Sequence, residues 1–550
     1  MLIISYKCSV CLVYPITEET DEESMNRNIF AKLFEPEVMI AFATVILLTI
    51  SAIAVFTNLV LFPFLIMIAI LGTVYLFKEP RNTFFLMIAI RIVIDLSHVL
   101  KISVGPFSLM VVFSGASSVF FTYLILANLK NGIDKNPLFH PFMWYLGLLF
   151  VGAIRAAESR FIVDEFLRLY GSPLVLFVGV FFLKKKGDAE KLLMVMAMAG
   201  TIPLLSAIFH LLDGQMDRVI LHEEPRLLGG YKNLRSAGLM SFVFSALRAF
   251  WVNNAKNWTM RIFFIVYFVV AVTYLFLTKT RATLIIFGVT IGIFYILTKR
   301  YTPVLSAIGL GFLIIIFNVG NIQDRFADFF LLWEYTQERN VDVQALAKVG
   351  SGRYGLWTNS FSEFLKGGYG DLLLGWGYGY HYIFTRANYS PFSLVMGGYV
   401  DVHNDFLRVL YEVGPFGVIL FHGMMFMVVW YGLKLIKISK DPTHRDIGAM
   451  GIAVSFGFFT NQLLSNGINS RVTPAWGYWC FALAIFILLR EYEEEARKKE
   501  PKNPRKNQLP DWQQGISHLP LIQIVQKERE RNQQREQREH DEKVHVLKVK

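Results

Sequence analysis

Cysteine is nearly absent: the chain of 550 residues has only three, and two of them form an isolated C-x-x-C at Cys8 and Cys11. Without a second pair or a βαβ setting, that motif reads as incidental cysteines in an N-terminal flank, not as a metal or redox site. The first 35 residues also lack a signal-peptide layout with a small-residue cleavage site. Met25, followed by NRNIFAKLF, offers a second start. No internal repeat is evident. Amphipathic periods are missing too, although 54% of the residues are hydrophobic and 15% aromatic. A soluble chain of this length would show those periods, so a soluble fold is excluded.

What recurs instead is apolar runs of about 20 residues. They lie near 37–56, 58–77, 83–100, 106–127, 138–154, 172–183, 191–212, 236–252, 261–278, 282–298, 303–319, 411–433, 447–466 and 473–490. Such runs are too long for core strands and too apolar all round for surface helices. The expected fold is an all-α polytopic membrane protein with about 14 transmembrane helices. The short run at 172–183 is expected to extend back into the preceding FLRLYG.

The formal net charge of +11 reads as loop bias and contact with lipid, before nucleic acid is considered. Alternate connections carry Lys78 and Arg81, Lys130 and Lys135, Lys184 to Lys186 with Lys191, Lys256 and Arg261, Lys299 and Arg300, then Lys434, Lys437, Lys440 and Arg445. All fall on one side if both termini do, which places both termini in the cytoplasm. The resulting layout is a cytoplasmic flank (1–36), eleven transmembrane helices (37–320), one large extracytoplasmic loop (321–403), three last transmembrane helices (404–490) and a charged, disordered cytoplasmic tail (491–550). The tail mixes charge, Gln and Pro, which reads as disorder or an exposed helix. Its functional alternative is docking of partner enzymes or anionic lipid.

The charges that break this register carry more information. It leaves Arg226, Lys232 and Arg235, then Lys279 and Arg281, then Arg353, Arg386 and Arg471 on the outer side. Arginine cannot escape a membrane edge by deprotonating, so a cluster there calls for an anion. Glu223, Glu224 and Glu412 are the acidic residues at hand. Any one arginine reads as snorkelling. Separate clusters converging on one face, beside a large loop, read as a site for a phosphate-bearing ligand, best a lipid-linked pyrophosphate. Arg91 and Asp95, four apart, read as a local ion pair.

The stretch from Ser351 to Gly417 supplies the rest of a candidate site. Gly375, Gly377 and Gly379 allow close backbone approach, while Trp376, Tyr378, Tyr380, Tyr382 and Tyr389 offer flat faces. Sugar stacking and interfacial anchoring explain such rings equally well. The G-x-G-x-G lacks the βαβ context of a dinucleotide site. Downstream, HNDFLRVLYEVGPFG looks helical up to Gly414–Pro415, with Asn404 or Asp405 as its cap. His403 then stands at the positive end of the helix dipole, which favours a neutral imidazole competent as a general base. A structural histidine is the bland alternative. A metal site on Asp401, His403 and Asp405 is a low-specificity pattern, and neither metal nor cofactor is expected.

These pieces resemble the O-antigen ligase and O-antigen polymerase superfamily of bacterial envelope glycosyltransferases. LTKTRATL (Leu277–Leu284) resembles its Thr/Ser-x-Ser-Arg-Gly-Ala element, with Thr280 and Thr283 as departures. SGRYGLW at Ser351 and LLLGWGYG at Leu372 resemble the start and middle of its large loop, and the run from His403 fits His-Asn-x-x-Leu-x-x-x-x-Glu-x-Gly. LLGGYKNLRSAGL is similar to an Asn-containing outer loop, with Tyr231-Lys232-Asn233 in place of Asn-Pro-Asn. The resemblance covers residues 220–490 well.

It implies an inverting, metal-independent, GT-C-like transferase in the bacterial inner membrane. The donor would be an undecaprenyl-pyrophosphate-linked glycan, and the acceptor a glycan or lipid A–core hydroxyl. His403 would be the base, and Arg281 and Arg353 would bind pyrophosphate and stabilise the departing charge. Arg235, Lys232 and Arg226 would extend the phosphate grip, with Trp376, Tyr378, Asn404 and Glu412 binding or orienting substrate. Polymerisation of a surface polysaccharide is the first expectation, with the tail meeting a chain-length regulator or synthesis partners. Ligation to lipid A–core or protein is the second. A lipid-linked glycan flippase is the third, disfavoured because the charges gather at one face instead of lining a through-path.

Overall fold

The structure, a computed structural model, describes residues 80–94, 103–104, 107–129, 133, 136–185, 187–213, 217–218, 225–227, 234–278, 280–302, 305, 353–386, 402–464 and 473–499. Cys8, Cys11, the first two apolar runs, Asp95, Glu223, Glu224, Lys232, Lys279, Tyr389, Asp401, Arg471, most of the run at 303–319 and the tail from 500 onward lie outside these residues.

Apart from two hairpins, Ser103–Val104 with Phe107–Ser108 and Asp217–Arg218 with Pro225–Arg226, the described elements are helices. The first group is α1 (Pro80–Ile94), α2 (Leu109–Ala127), α3 (Phe139–Ile154), α4 (Ser159–Phe182), α5 (Asp188–Ala199) and α6 (Thr201–Leu212). The next is α7 (Leu234–Asn254), α8 (Trp258–Leu277) and α9 (Arg281–Leu297). Three short helices follow, α10 (Arg353–Phe364), α11 (Tyr369–Leu374) and α12 (Tyr380–Arg386). The last are α13 (Asp405–Ile438), α14 (Pro442–Leu464) and α15 (Thr473–Lys499). Two compact units divide the chain, Met1–Leu489 and Arg490–Lys550.

Among the described residues, four stretches are long and apolar enough to cross a bilayer: Asp188–Leu212, Trp258–Leu277, Asp405–Ile438 and Pro442–Leu464. Shorter apolar helices accompany them at Phe113–Leu126, Phe139–Ile154, Leu169–Phe182 and Ala282–Leu297. The chain is a multi-pass helical membrane protein, the architecture that satisfies backbone hydrogen bonds without water. The run at 172–183 does extend backward, since α4 begins at Ser159 and passes through Pro173.

Small residues let the helices approach closely, as packing in lipid requires. A Cβ built on Gly448 would stand 3.1 Å from the Gly432 carbonyl oxygen, and one on Gly238 would stand 2.6 Å from the Thr283 hydroxyl. Within α15, the stretch from Ala475 to Leu489 is buried almost without interruption.

Polar pairs fix which helix ends lie together. Near the ends of α7 and α9, Asn254 Nδ2 lies 3.1 Å and Arg300 Nη1 2.8 Å from Asp446 Oδ2, at the start of α14. Nearby, His444 Nε2 stands 3.6 Å from Glu190 Oε1, and the buried Asp188 accepts from Arg81. These pairs gather at one end of the bundle connections that the Lys and Arg pattern groups on one side. Halfway along, Gly457 of α14 abuts Thr290 of α9. Hence α14 runs antiparallel to α9, and its end at Leu464 lies level with the starts of α7 and α9.

Candidate functional site

α13 is two helices, not one. Gly414 has φ 79 and ψ 177, and Pro415 follows it. In an unbroken helix, residues 406 and 422 would lie about 24 Å apart. Here the Phe406 ring is 4.3 Å from the His422 ring and 6.3 Å from that of Phe459. The short arm, 405–413, therefore folds back along the long arm, 415–438. Its N-terminus lies about 13 Å from the bend, measured along the helix.

That N-terminus is built from the residues singled out in the sequence. Asn404 caps it, its Oδ1 accepting from the Leu407 N–H at 3.0 Å while its Nδ2 donates to the Leu463 carbonyl at 3.1 Å. His403, just before the cap, is half-buried and has φ 54, in the left-handed region. Histidine enters that region more readily than most residues, yet such backbone costs about 1–3 kcal/mol and concentrates at functional sites. Removing the cap with Asn404→Ala is expected to destabilise the chain by about 1 kcal/mol, read as a lower unfolding midpoint in detergent.

α10 runs alongside the short arm in the same direction. Its Trp357 Nε1 donates to the Val402 carbonyl at 2.8 Å, Ser360 Oγ meets the Tyr411 hydroxyl at 3.1 Å, and the Phe364 and Tyr411 rings are 5.3 Å apart. At its start, Arg353 donates through Nη1 to the Leu464 carbonyl. Arg353 and Asn404 thus hold adjacent carbonyls at the end of α14, whose last C=O groups have no partner within the helix. Residues 353, 403–404 and 463–464 form one corner, though a hundred or so positions separate the first and last.

Two more helices start at this level. Arg281 is the first residue of α9 and Arg235 the second of α7. The hairpin holding Arg226 is tied to the same end, since the Leu227 N–H donates to the Leu277 carbonyl at 3.2 Å. The N-termini of α7, α9, α10 and α13 therefore share one end of the bundle. Each brings the positive pole of a helix dipole, a setting that suits an anion.

The glycine–aromatic run seals the bend. Trp376 N–H donates to the Tyr411 carbonyl at 2.7 Å, Tyr378 N–H to the Gly152 carbonyl at 3.1 Å, and Ala157 N–H back to the Tyr378 carbonyl at 2.9 Å. A Cβ on Gly377 (φ 114) would fall on the Arg155 carbonyl, and Gly375 and Gly414 lie backbone to backbone. The close approach read from these glycines is made to α3 and to the bend. Tyr378 is wholly enclosed, its hydroxyl donating to the Leu149 carbonyl at 2.7 Å, which leaves no ring face for a ligand. Trp376 is half-buried, 5.3 Å from the Phe384 ring and 5.4 Å from that of Tyr380, with Nε1 donating to the Phe364 carbonyl at 3.3 Å.

Glu412 sits under this seal, fully buried. Its Oε1 accepts from the Gly379 N–H at 3.1 Å and lies 2.7 Å from His381 Nδ1, while Oε2 faces Arg408 Nε at 3.6 Å. The i,i+4 spacing of Arg408 and Glu412 was a signal for the pair. Nothing local marked His381.

The structure thus brings together His403, Asn404 and Arg353, with Arg281, Arg235 and Arg226 on elements at the same end. Glu412, Trp376 and Tyr378 belong to the sealed bend beside that corner. Residues 266–422 match the model of the O-antigen ligase family, a stretch running from α8 to the long arm of α13 and leaving Arg226 and Arg235 outside. No curated protein matches the chain.

Proposed function

We propose, from the match of residues 266–422 to the O-antigen ligase family, that the chain is an enzyme of that family and polymerises a surface polysaccharide. It would join lipid-linked glycan units at the outer face of the cytoplasmic membrane. The observation that carries this reading is the corner where Arg353 and the His403–Asn404 start of the short arm meet the end of α14.

The donor pyrophosphate lies among the helix N-termini, held by Arg281 and Arg353 and extended by Arg226, Lys232 and Arg235. His403 takes the proton of the acceptor hydroxyl as its oxygen attacks the anomeric carbon from the face opposite the leaving group. The bond from that carbon to the pyrophosphate oxygen breaks, and undecaprenyl pyrophosphate leaves with the electron pair. Fixed N–H dipoles and guanidinium groups facing the departing oxygen lower the barrier by about 3–4 kcal/mol per well-placed donor. Both termini are assigned to the cytoplasm, and the 321–403 segment to the outer side, from the Lys and Arg pattern.

Ligation to lipid A–core is the second reading, favoured by the family whose model matches. Glycan profiling of a strain lacking the protein separates the two. Short, singly capped chains are the expected result for a lost polymerase. Long chains left on the lipid carrier mark a lost ligase, and unchanged surface glycan rejects both.

A further inference from the structure

We propose that His381 is a positioning residue for glycan transfer, acting through Glu412 on the short arm of α13 that presents His403. The proposal rests on the reading of His403 as the acceptor base.

The physical case starts from where the charge is. Glu412 and His381 are fully buried and Arg408 is 1% exposed, in a helix pair of a membrane protein. A carboxylate there is tolerated only when donors surround it, and a well-packed apolar pair would hold the two helices at least as firmly. Hydrogen bonds add direction, which apolar packing lacks. His381 Nδ1 at 2.7 Å and the Gly379 N–H at 3.1 Å converge on one carboxylate oxygen, while Arg408 faces the other. The Nδ1–H tautomer of His381 is the one that donates to Glu412. Two directions are thereby set on one carboxylate oxygen, and Glu412 turns only as His381 and the Gly379 N–H allow.

Glu412 lies at one end of the short arm and His403 at the other. The arm is a rigid lever about 13 Å long. A rotation of about 5° at Glu412 moves the His403 end by about 1 Å, and misplacement on that scale costs about 10²-fold in rate. The ring contacts of Trp376, Phe384 and Tyr411 hold α12 against the arm but, lacking direction, leave a small tilt of the arm open. The ion pair of Glu412 with Arg408 is internal to the arm and cannot orient it. Among the described residues, His381 and Gly379 are the polar contacts that cross from the seal to this carboxylate, and only His381 does so with a side chain.

The test uses the purified full chain in liposomes, with a synthetic undecaprenyl-pyrophosphate-linked oligosaccharide as donor, and hydrogen–deuterium exchange without substrate. His381→Ala is expected to speed amide exchange over residues 402–413 and lower kcat about 10²-fold, with the donor KM within about twofold of the parent's. His381→Asn, which carries a donor where Nδ1 stood, is expected to restore both, whereas His381→Gln, whose donor is displaced, remains slow. Unchanged exchange or unchanged kcat in His381→Ala overturns the proposal. So does a raised KM at full kcat, which would make His381 a donor-binding residue. Should His381→Ala fail to fold, Asn and Gln variants of equal rate overturn it instead. His403→Asn is measured alongside: transfer at the parent rate marks failure of the base reading, whereas normal exchange in His381→Ala marks failure of the positioning.

Discussion

Replacing His403 with asparagine is expected to lower kcat for glycan transfer about 10²–10⁴-fold, the range for losing a general base. Asparagine is the informative substitution because of the backbone. At φ 54, alanine would add strain to lost chemistry, whereas asparagine enters the left-handed region readily. The Asn404 cap and the Arg353 contact to Leu464 are made by other residues and should persist. The donor KM is therefore expected to change little, because the pyrophosphate is held by the arginines and helix N-termini. A glycine variant, which relieves the strain, should fold at least as well as asparagine and be equally slow. Full transfer by the asparagine variant would remove His403 from the chemistry and leave it a helix-start residue.

Gly377→Ala is expected to destabilise the chain by about 2–5 kcal/mol, combining left-handed strain with overpacking. Its φ is 114, and the new Cβ would meet the Arg155 carbonyl, which is backbone and cannot swing aside. The seal would lift, breaking the Tyr378 and Ala157 hydrogen bonds to α3 and its connection, so transfer should fall with stability. Gly147→Ala is the control, because its Cβ would enter open space within the same α3. The unfolding midpoint in detergent reads both variants. Equal midpoints would mean that the glycine run is not seated against Arg155.

The aromatic–glycine stretch shows where reading the chain succeeds and stops. That Gly375, Gly377 and Gly379 permit close approach followed from their lack of a Cβ. What approaches them, the end of α3 over 200 positions away and that of the short arm about 40 away, leaves no local trace. For the same reason Tyr378 and Trp376 looked alike, yet one is enclosed and the other half-exposed. Glu412 was readable as an arginine's partner through its spacing from Arg408, whereas His381 reaches it across 31 positions.

The amino-acid order alone established helices, their approximate bounds, the grouping of basic connections and a cap at Asn404 or Asp405, of which the fold uses Asn404. Each depends on interactions within a turn or two, or on the bilayer, which compels any apolar run to bond its own backbone. The placing of Arg353 and Asn404 on adjacent carbonyls of α14 arose from the fold-back at Gly414 and the antiparallel run of α14, as did the sharing of one end by four helix starts. Those depend on which glycine faces which neighbour across the bundle. Hydropathy is blind to that choice, because lipid and another helix are equally apolar to a side chain at the boundary.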